Sequence, residues 1–411
     1  MTARADFEEL DRSDPLAPLR ERFMLPEGEI YLDGNSLGMP QRSVPAALDH
    51  FVHAGWARRG IRAWLEQDWI HLPQRTGERI ARLIGAQSHE VIVADSTSVN
   101  LFKIAAAARR LCPDRSIVLT EAGNFPTDGY VLQGLATMLG AGTQLRLLPR
   151  DQIATAIDSS VALVVLTHVH YKTGETFDMA ALTRRTHDAG TRVVWDLSHS
   201  VGAVPVSLND WDADFAVGCT YKFLNGGPGA PGFLYCARAL QSRVQPMLAG
   251  WMGHAHPFTF VDEFVPAAGM QRHLTGTPPA TALAILDEAL EVFDHVDLEL
   301  LWRKSRQLST LFIEHVEATC GEYGFITITP RDAMNRGSQV SFRHPQGYAI
   351  VQALIKRGVI GDFRAPDVLR FGLTPLYTRY IDVFDAIEHL REVMRLNEWD
   401  QPAFREMAAV T

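Results

Sequence analysis

The stretch Cys219-Thr220-Tyr221-Lys222-Phe223-Leu224-Asn225-Gly226-Gly227-Pro228-Gly229 decides how this chain is read. It follows the short apolar run Phe215-Ala216-Val217-Gly218, so Lys222 stands just past a strand and just before a glycine-rich turn. Lys222 is one of five lysines in 411 residues, the others being Lys103, Lys172, Lys304 and Lys356. A solvated turn lysine is the plain alternative. Aromatic flanks and a Gly/Pro-rich neighbourhood argue instead for close backbone approach. A desolvated lysine has a lowered pKa, which suits imine exchange and proton transfer.

Upstream, Arg192-Val193-Val194-Trp195-Asp196 reads as a strand that ends in an acid and continues into Leu197-Ser198-His199-Ser200. Further strands are expected over 91–94, 116–120 and 161–166, and helices over 99–111, 130–139 and 179–189. Strands separated by helices at this spacing imply a mainly parallel sheet covered on both faces. Ligands of such sheets bind at the carboxyl ends of the strands, where Asp196 and Lys222 both fall. An acid at one strand end and a lysine beyond the next is what pyridoxal phosphate chemistry needs. The lysine forms the Schiff base, and the acid keeps the ring nitrogen protonated.

Two more stretches supply what such a cofactor requires. Asp95-Ser96-Thr97-Ser98-Val99-Asn100 lies between a strand and a helix, where backbone N–H groups, hydroxyls and the helix dipole favour a phosphate. Taken alone it is an ordinary Ser/Thr cap. Asn124-Phe125-Pro126-Thr127-Asp128 lies in a strand-to-helix loop, with Phe125 as a stacking ring and Asp128 facing the cofactor or capping a helix. His168 and His170 alternate as metal ligands can, but no third ligand accompanies them, so no metal is expected.

Composition narrows the remaining classes. A net charge of −9 argues against a nucleic-acid-binding surface. No apolar stretch approaches the ~20 residues of a membrane span. Four scattered cysteines (Cys112, Cys219, Cys236, Cys320) suggest reduced thiols and a cytoplasmic protein. After Thr277-Pro278-Pro279 the pattern changes to two helical stretches, 280–293 and 298–318, and then to strand candidates at 325–328 and 340–342. A smaller α+β domain is expected there. No Gly-x-Gly-x-x-Gly follows the first strand, which disfavours a nicotinamide dehydrogenase.

The chain resembles the kynureninases, members of the aspartate aminotransferase-like fold type I family of pyridoxal phosphate enzymes. The likeness rests on Tyr31-Leu32-Asp33-Gly34-Asn35-Ser36-Leu37-Gly38, Ser96–Leu101, Phe125–Asp128, Trp195–Ser200, Thr220–Gly229, Gly250-Trp251-Met252-Gly253-His254, Gly276–Pro279 and Leu369–Tyr377. The resemblance implies a mainly parallel seven-stranded sheet in a large cofactor-binding domain over 51–290. It implies a small α+β domain over 291–411, and a segment over 1–50 that joins the small domain and the active-site rim.

By the same resemblance Lys222 is the Schiff-base lysine, Asp196 the pyridinium partner and Tyr221 a phosphate ligand and candidate proton donor. Thr97, Ser98 and Trp251 would hold the phosphate side, with Trp251 and Thr277 reaching across a homodimer interface. Phe125, Pro126, Thr127, Asp128, Thr167 and His199 would surround the ring. Arg370 would clamp the substrate carboxylate, Trp64 and Thr277 would meet the aryl group, and Asn35 and Ser36 would complete the substrate site. The implied reaction is hydrolysis of L-kynurenine to anthranilate and L-alanine, within tryptophan catabolism and the kynurenine pathway toward NAD. Some family members carry asparagine where Thr277 stands, which leaves 3-hydroxykynurenine open with a lean toward kynurenine. A cysteine desulfurase would need a mobile cysteine, for which Cys320 is the one plausible choice. A catalytically dead protein on the same fold is disfavoured by intact Lys222, Asp196 and Arg370.

Overall fold

The computed structural model describes residues 3–406. Near the amino terminus lies a two-residue strand, β1 (Ile30–Tyr31). Seven strands then build the main sheet: β2 (Val91–Val93), β3 (Ile117–Glu121), β4 (Gln144–Leu148), β5 (Val161–Thr167), β6 (Val193–Asp196), β7 (Phe215–Gly218) and β8 (Phe233–Cys236). Their order is β2-β8-β7-β6-β5-β3-β4. The pairs β4/β3, β3/β5, β5/β6 and β6/β7 are parallel, while β8 runs antiparallel to both β7 and β2. The expected mainly parallel seven-stranded sheet is present.

All seven residues of β5 are buried, as a central strand covered on both faces requires. Successive side chains serve opposite faces. Val164, Leu166, Val193, Trp195 and Ala216 pack on one side with the helices Leu72–Leu83 and Ala280–Asp294. Leu163, Val165, Val194, Phe215 and Val217 pack on the other with the helix Thr97–Arg109.

A second core gathers the helices Leu298–Cys320, Gly347–Lys356 and Tyr380–Arg395 over a small antiparallel sheet. Its strands are β9 (Ile326–Thr327), β10 (Gln339–Arg343), β12 (Asp362–Arg364) and β13 (Val368–Gly372), ordered β12-β13-β10-β9. Before β12, β11 (Val359–Ile360) pairs in parallel with β1. Phe7, from the first helix Arg4–Ser13, enters the same core.

The helix expected from residue 99 begins at Thr97, and the one expected from 130 begins at Pro126. Proline suits a first helical position, where its missing N–H costs nothing. Asp128 therefore lies inside the first turn. Strands β4 and β8 escaped the sequence reading. In β4 the residues Gln144-Leu145-Arg146-Leu147-Leu148 are largely exposed at a sheet edge, without the apolar run of the central strands.

Candidate active site

Asp196 ends β6, opposite Thr167 of β5 and Val217 of β7. Four residues past β7, Lys222 occupies a turn closed by two backbone bonds, Asn225 N–H to the Lys222 carbonyl and Gly226 N–H to the Thr220 carbonyl, both 2.9 Å. Gly38 donates to the Tyr221 carbonyl at 2.8 Å, tying the Asp33–Gly38 turn to this one. A Cβ on Gly38 would come within 2.2 Å of the Lys222 carbonyl oxygen, so the approach requires glycine.

Lys222 Nζ lies 2.7 Å from His199 Nε2, and His199 Nδ1 lies 3.0 Å from Gln339 Oε1. Gln339 Nε2 donates to the Tyr171 carbonyl, which leaves Oε1 only an acceptor role. His199 Nδ1 therefore carries the proton. Burial and the nearby Lys222 hold the His199 pKa far below its ordinary value, so Nε2 is bare and accepts from Lys222. Burial also lowers the pKa of Lys222, against the opposing pull of Cys219 and Asp196. The result is a buried amine aimed by a neutral imidazole. Gln339, at the start of β10, links this group to the small sheet; nothing in the sequence singled it out.

Asp196 is buried, accepts from Ser198 N–H at 2.6 Å, and has its pKa raised by desolvation. Asp128 is pushed up to about 8 by burial and by the charge of Asp196. Its Oδ2 accepts from Thr167 Oγ1 and Asn124 Nδ2, both at 3.1 Å. Asn124, which opens the Asn124–Asp128 loop but has no assigned role in the sequence reading, thus holds Asp128 and Thr167.

These residues fit pyridoxal phosphate. Two buried carboxylates sit with one depressed lysine, so a cationic ring nitrogen beside Asp196 would relieve their desolvation. The Thr97 and Ser98 hydroxyls, in the first turn of a 13-residue helix, are engaged by nothing among the described residues. Phe125 is 47% exposed and packs edge-on against Tyr171, leaving ring surface for a flat ligand. Pro126 and Thr127 open the helix behind it. Tyr221 is half-buried, with its ring centroid 5.8 Å from Lys222 Nζ, and burial raises its phenol pKa.

Arg370 lies across from this group and is 1% exposed. It forks onto Asp362 through Nε at 2.8 Å and Nη2 at 2.5 Å, and also donates to the Tyr171 carbonyl and to Ser36 Oγ. Arg364, one-third exposed, joins the same Asp362 carboxylate at 2.7 Å. Arg370 is thus not an open clamp in this conformation. Two guanidinium groups share one carboxylate, and the arginine that offers free surface is Arg364. Asp33, beside them, is pushed up to about 7 by burial and by Asp362.

Two further expectations change. Asn35 is fully buried against Gly372, so it offers no surface to a substrate. It supports the turn that carries Ser36. Trp64, Trp251 and Thr277 line an apolar cavity of about 440 Å³ with Ile61, Leu65 and Phe258, and none of Lys222, Asp196 or His199 shares it. Trp251 and Phe258 are exposed, as are Ile61 and Leu65. Within one chain the expected aryl and phosphate contacts of these residues are not made. Cys320 is buried at the end of its helix, with a thiol pKa raised to about 11, and so is not the exposed loop thiol a desulfurase nucleophile would be.

Among the described residues no helix is long and apolar enough to cross a membrane, and no three His, Cys, Asp or Glu side chains group as a metal site would.

A family model described as the kynureninase C-terminal domain matches residues 301–390. The curated kynureninase of Pseudomonas fluorescens is 47% identical over 416 residues, covering 100% of both chains. That of Burkholderia mallei (strain SAVP1) is 46% identical over 417 residues, again covering 100% of both. Among solved structures, an apo cysteine desulfurase from Thermococcus onnurineus NA1 superposes with a TM-score of 0.79 at 19% identity, covering 92% of this chain and 98% of that one. A mutant of C-DES, with glycine covalently linked to its PLP cofactor, gives a TM-score of 0.76 at 17% identity, covering 95% and 100%. At these identities the structural likeness establishes the fold alone.

Proposed function

This chain belongs to the kynureninase family, and from that membership we infer that its buried lysine site hydrolyses L-kynurenine to anthranilate and L-alanine with pyridoxal phosphate. One water is consumed, and the Cβ–Cγ bond of the substrate breaks. The observation within the structure that carries this reading is the Lys222–His199–Gln339 chain beside Asp196 and Asp128.

When bound, pyridoxal phosphate supplies an electron sink for the substrate's α-carbon. Lys222 would be the amine that holds it, and the same amine, when free, would serve as the base for the α-proton. Its depressed pKa keeps a neutral fraction available, and His199 Nε2 orients the lone pair by accepting one N–H. Asp196 would hold the ring nitrogen protonated. Asp128, held by Thr167 and Asn124, would provide a polar edge beside the ring. The first turn at Thr97 and Ser98 would bind the phosphate, Tyr221 would help it or donate a proton, and Phe125 would cover one ring face. Pro126 and Thr127 fix that loop.

For the amino-acid carboxylate, Arg370 and Arg364 together leave one positive charge after Asp362 is counted. Ser36 Oγ sits between them as a hydrogen-bond partner. We propose this pair, rather than Arg370 alone, as the anion site. The open apolar surface with Trp64, Trp251 and Thr277 supports a homodimer in which these residues complete a neighbouring site from the second chain. With Thr277 at that position, unsubstituted kynurenine is proposed as the better substrate over 3-hydroxykynurenine.

The division into 1–50, 51–290 and 291–411, a cytoplasmic location, and a role in tryptophan catabolism toward NAD belong to the same reading. The four free cysteines support a reducing compartment. Adding L-kynurenine to cofactor-loaded protein should release anthranilate, seen by its fluorescence. Cofactor-loaded protein that releases none would sink the substrate assignment.

A further inference from the structure

Behind the lysine site a second cavity, about 310 Å³, opens between the main sheet and the carboxy-terminal body. His168 and Trp211 line it from the first, and Trp302, Arg306 and Met334 from the second. Its volume is at the lower end of ordinary ligand clefts, roughly 300–1,000 Å³. The two arginines on its wall differ. Arg336 donates to Ser309 Oγ, to the Pro330 and Arg331 carbonyls and to Thr310 Oγ1, which occupies its guanidinium in holding the fold. Arg306, half-buried on the helix Leu298–Cys320, has no side-chain partner among the described residues.

His168 is 6% exposed; its Nδ1 meets Ser200 Oγ at 2.9 Å, and its Nε2 has no partner. Burial keeps this imidazole neutral, so it offers a hydrogen bond and not a charge. The Asp178 carboxylate also lines the cavity and caps a helix through Ala181 N–H at 2.9 Å; it is exposed to solvent, and with Arg306 and Arg336 opposite it the lining keeps one net positive charge. A spare cation, a spare buried imidazole nitrogen and two indoles therefore face one space.

We propose that this cavity is a second ligand site, one that takes a small planar aromatic acid. The ring would lie against Trp211 and Trp302, the carboxylate on Arg306, with a polar contact from His168 Nε2. The site is wired to the reaction centre through adjacent residues. His168 follows Thr167, which holds Asp128, and Ser200 follows His199, which aims Lys222. The cavity also spans the junction that Thr176 N–H closes on the Asn335 carbonyl at 3.0 Å. An occupant would restrain that junction and lower turnover without competing with substrate. This coupling rests on the reaction proposed above, whereas binding itself does not.

Benzoate is the probe, titrated calorimetrically into cofactor-loaded enzyme and also followed as an inhibitor. Benzoate should bind and lower kcat in a way that saturating substrate does not reverse. Arg306→Gln should weaken that component about tenfold or more, as loss of a charge-assisted hydrogen bond does, with kcat/KM unchanged when benzoate is absent. Ala180→Phe fills the cavity without removing any hydrogen bond and should abolish the same component. Purely competitive inhibition, or benzoate binding unchanged in both variants, would overturn the proposal. Heat release that persists when the protein shows no kynurenine turnover would leave the site standing and fault only the reaction reading.

Discussion

The two halves of the active site solve burial in opposite ways. Around Arg370 the buried carboxylate is fully engaged, with one positive charge left over for an anion: Asp362 accepts two bonds from Arg370, one from Ser36, and a contact from Arg364. Around Lys222 the carboxylates are not so engaged. Asp196 and Asp128 are buried carboxylates with raised pKa values, His199 is held neutral, and the lysine is depressed. A saturated ion cluster is rigid and suited to positioning. An under-compensated one is suited to proton transfer, because its groups lie closer to exchanging protons and a bound cation relieves their strain. The same chain builds both, joined by Gln339 and the Tyr171 carbonyl.

The sharpest way to break this contrast is Lys222→Ala. It removes the covalent anchor together with the base, so kcat should fall by more than the ~10²–10⁴ of a single general base. Steady-state anthranilate release measures it; near-normal turnover would end the assignment. On the other side, Asp362→Ala leaves the buried Arg370 guanidinium without its carboxylate and facing the partly exposed Arg364. Unfolding free energy from urea titration should drop by about 3–5 kcal/mol, the cost of breaking a buried pair from one side. A loss confined to a few tenths would mean that the cluster is not a structural unit.

The smallest effect sharpens the under-compensated half. In cofactor-free protein, native Asp128 keeps its proton to about pH 8, whereas the unfolded carboxyl loses it near its ordinary value of 3.8. The folded state then binds the extra proton, and stability falls as pH rises toward 8. Asp33, pushed up to about 7, acts with the same sign. The buried histidines oppose this trend while their unfolded forms are still partly protonated, so the Asp128 contribution is read as the difference between the variant and the parent protein, in which theirs cancels. Between pH 6.5 and 8, Asp128→Asn should flatten the slope of stability against pH by up to ~1.4 kcal/mol per unit. An unchanged slope would show Asp128 to be ionised throughout.

How much of this was legible follows from where each signal lies. Lys222, Asp196 and the Phe125–Asp128 loop were readable because strand ends and glycine turns are local patterns, and the main sheet carries continuous apolar runs. Gln339 could not be read, since its partner His199 is 140 positions away and a strand glutamine has no distinguishing neighbours. Asp362 and Arg364 left a usable trace. Their i, i+2 spacing in an extended segment puts both side chains on one face, toward β13 and Arg370. Asn35 misled because a motif position says nothing of burial. Trp251 and Thr277 are exposed and Trp64 half-buried, apart from the lysine site, because a motif shows which residues recur together and not which of them meet within one chain.

The most direct test is reductive trapping. Protein loaded with pyridoxal phosphate is treated with borohydride, digested and mapped by mass spectrometry across all five lysines. The cofactor should be fixed on Lys222 alone, and Asp196→Asn should retain that attachment while losing turnover. A label on Lys103, Lys172, Lys304 or Lys356, or none at all, would contradict the claim that the under-compensated cluster is where the chemistry happens.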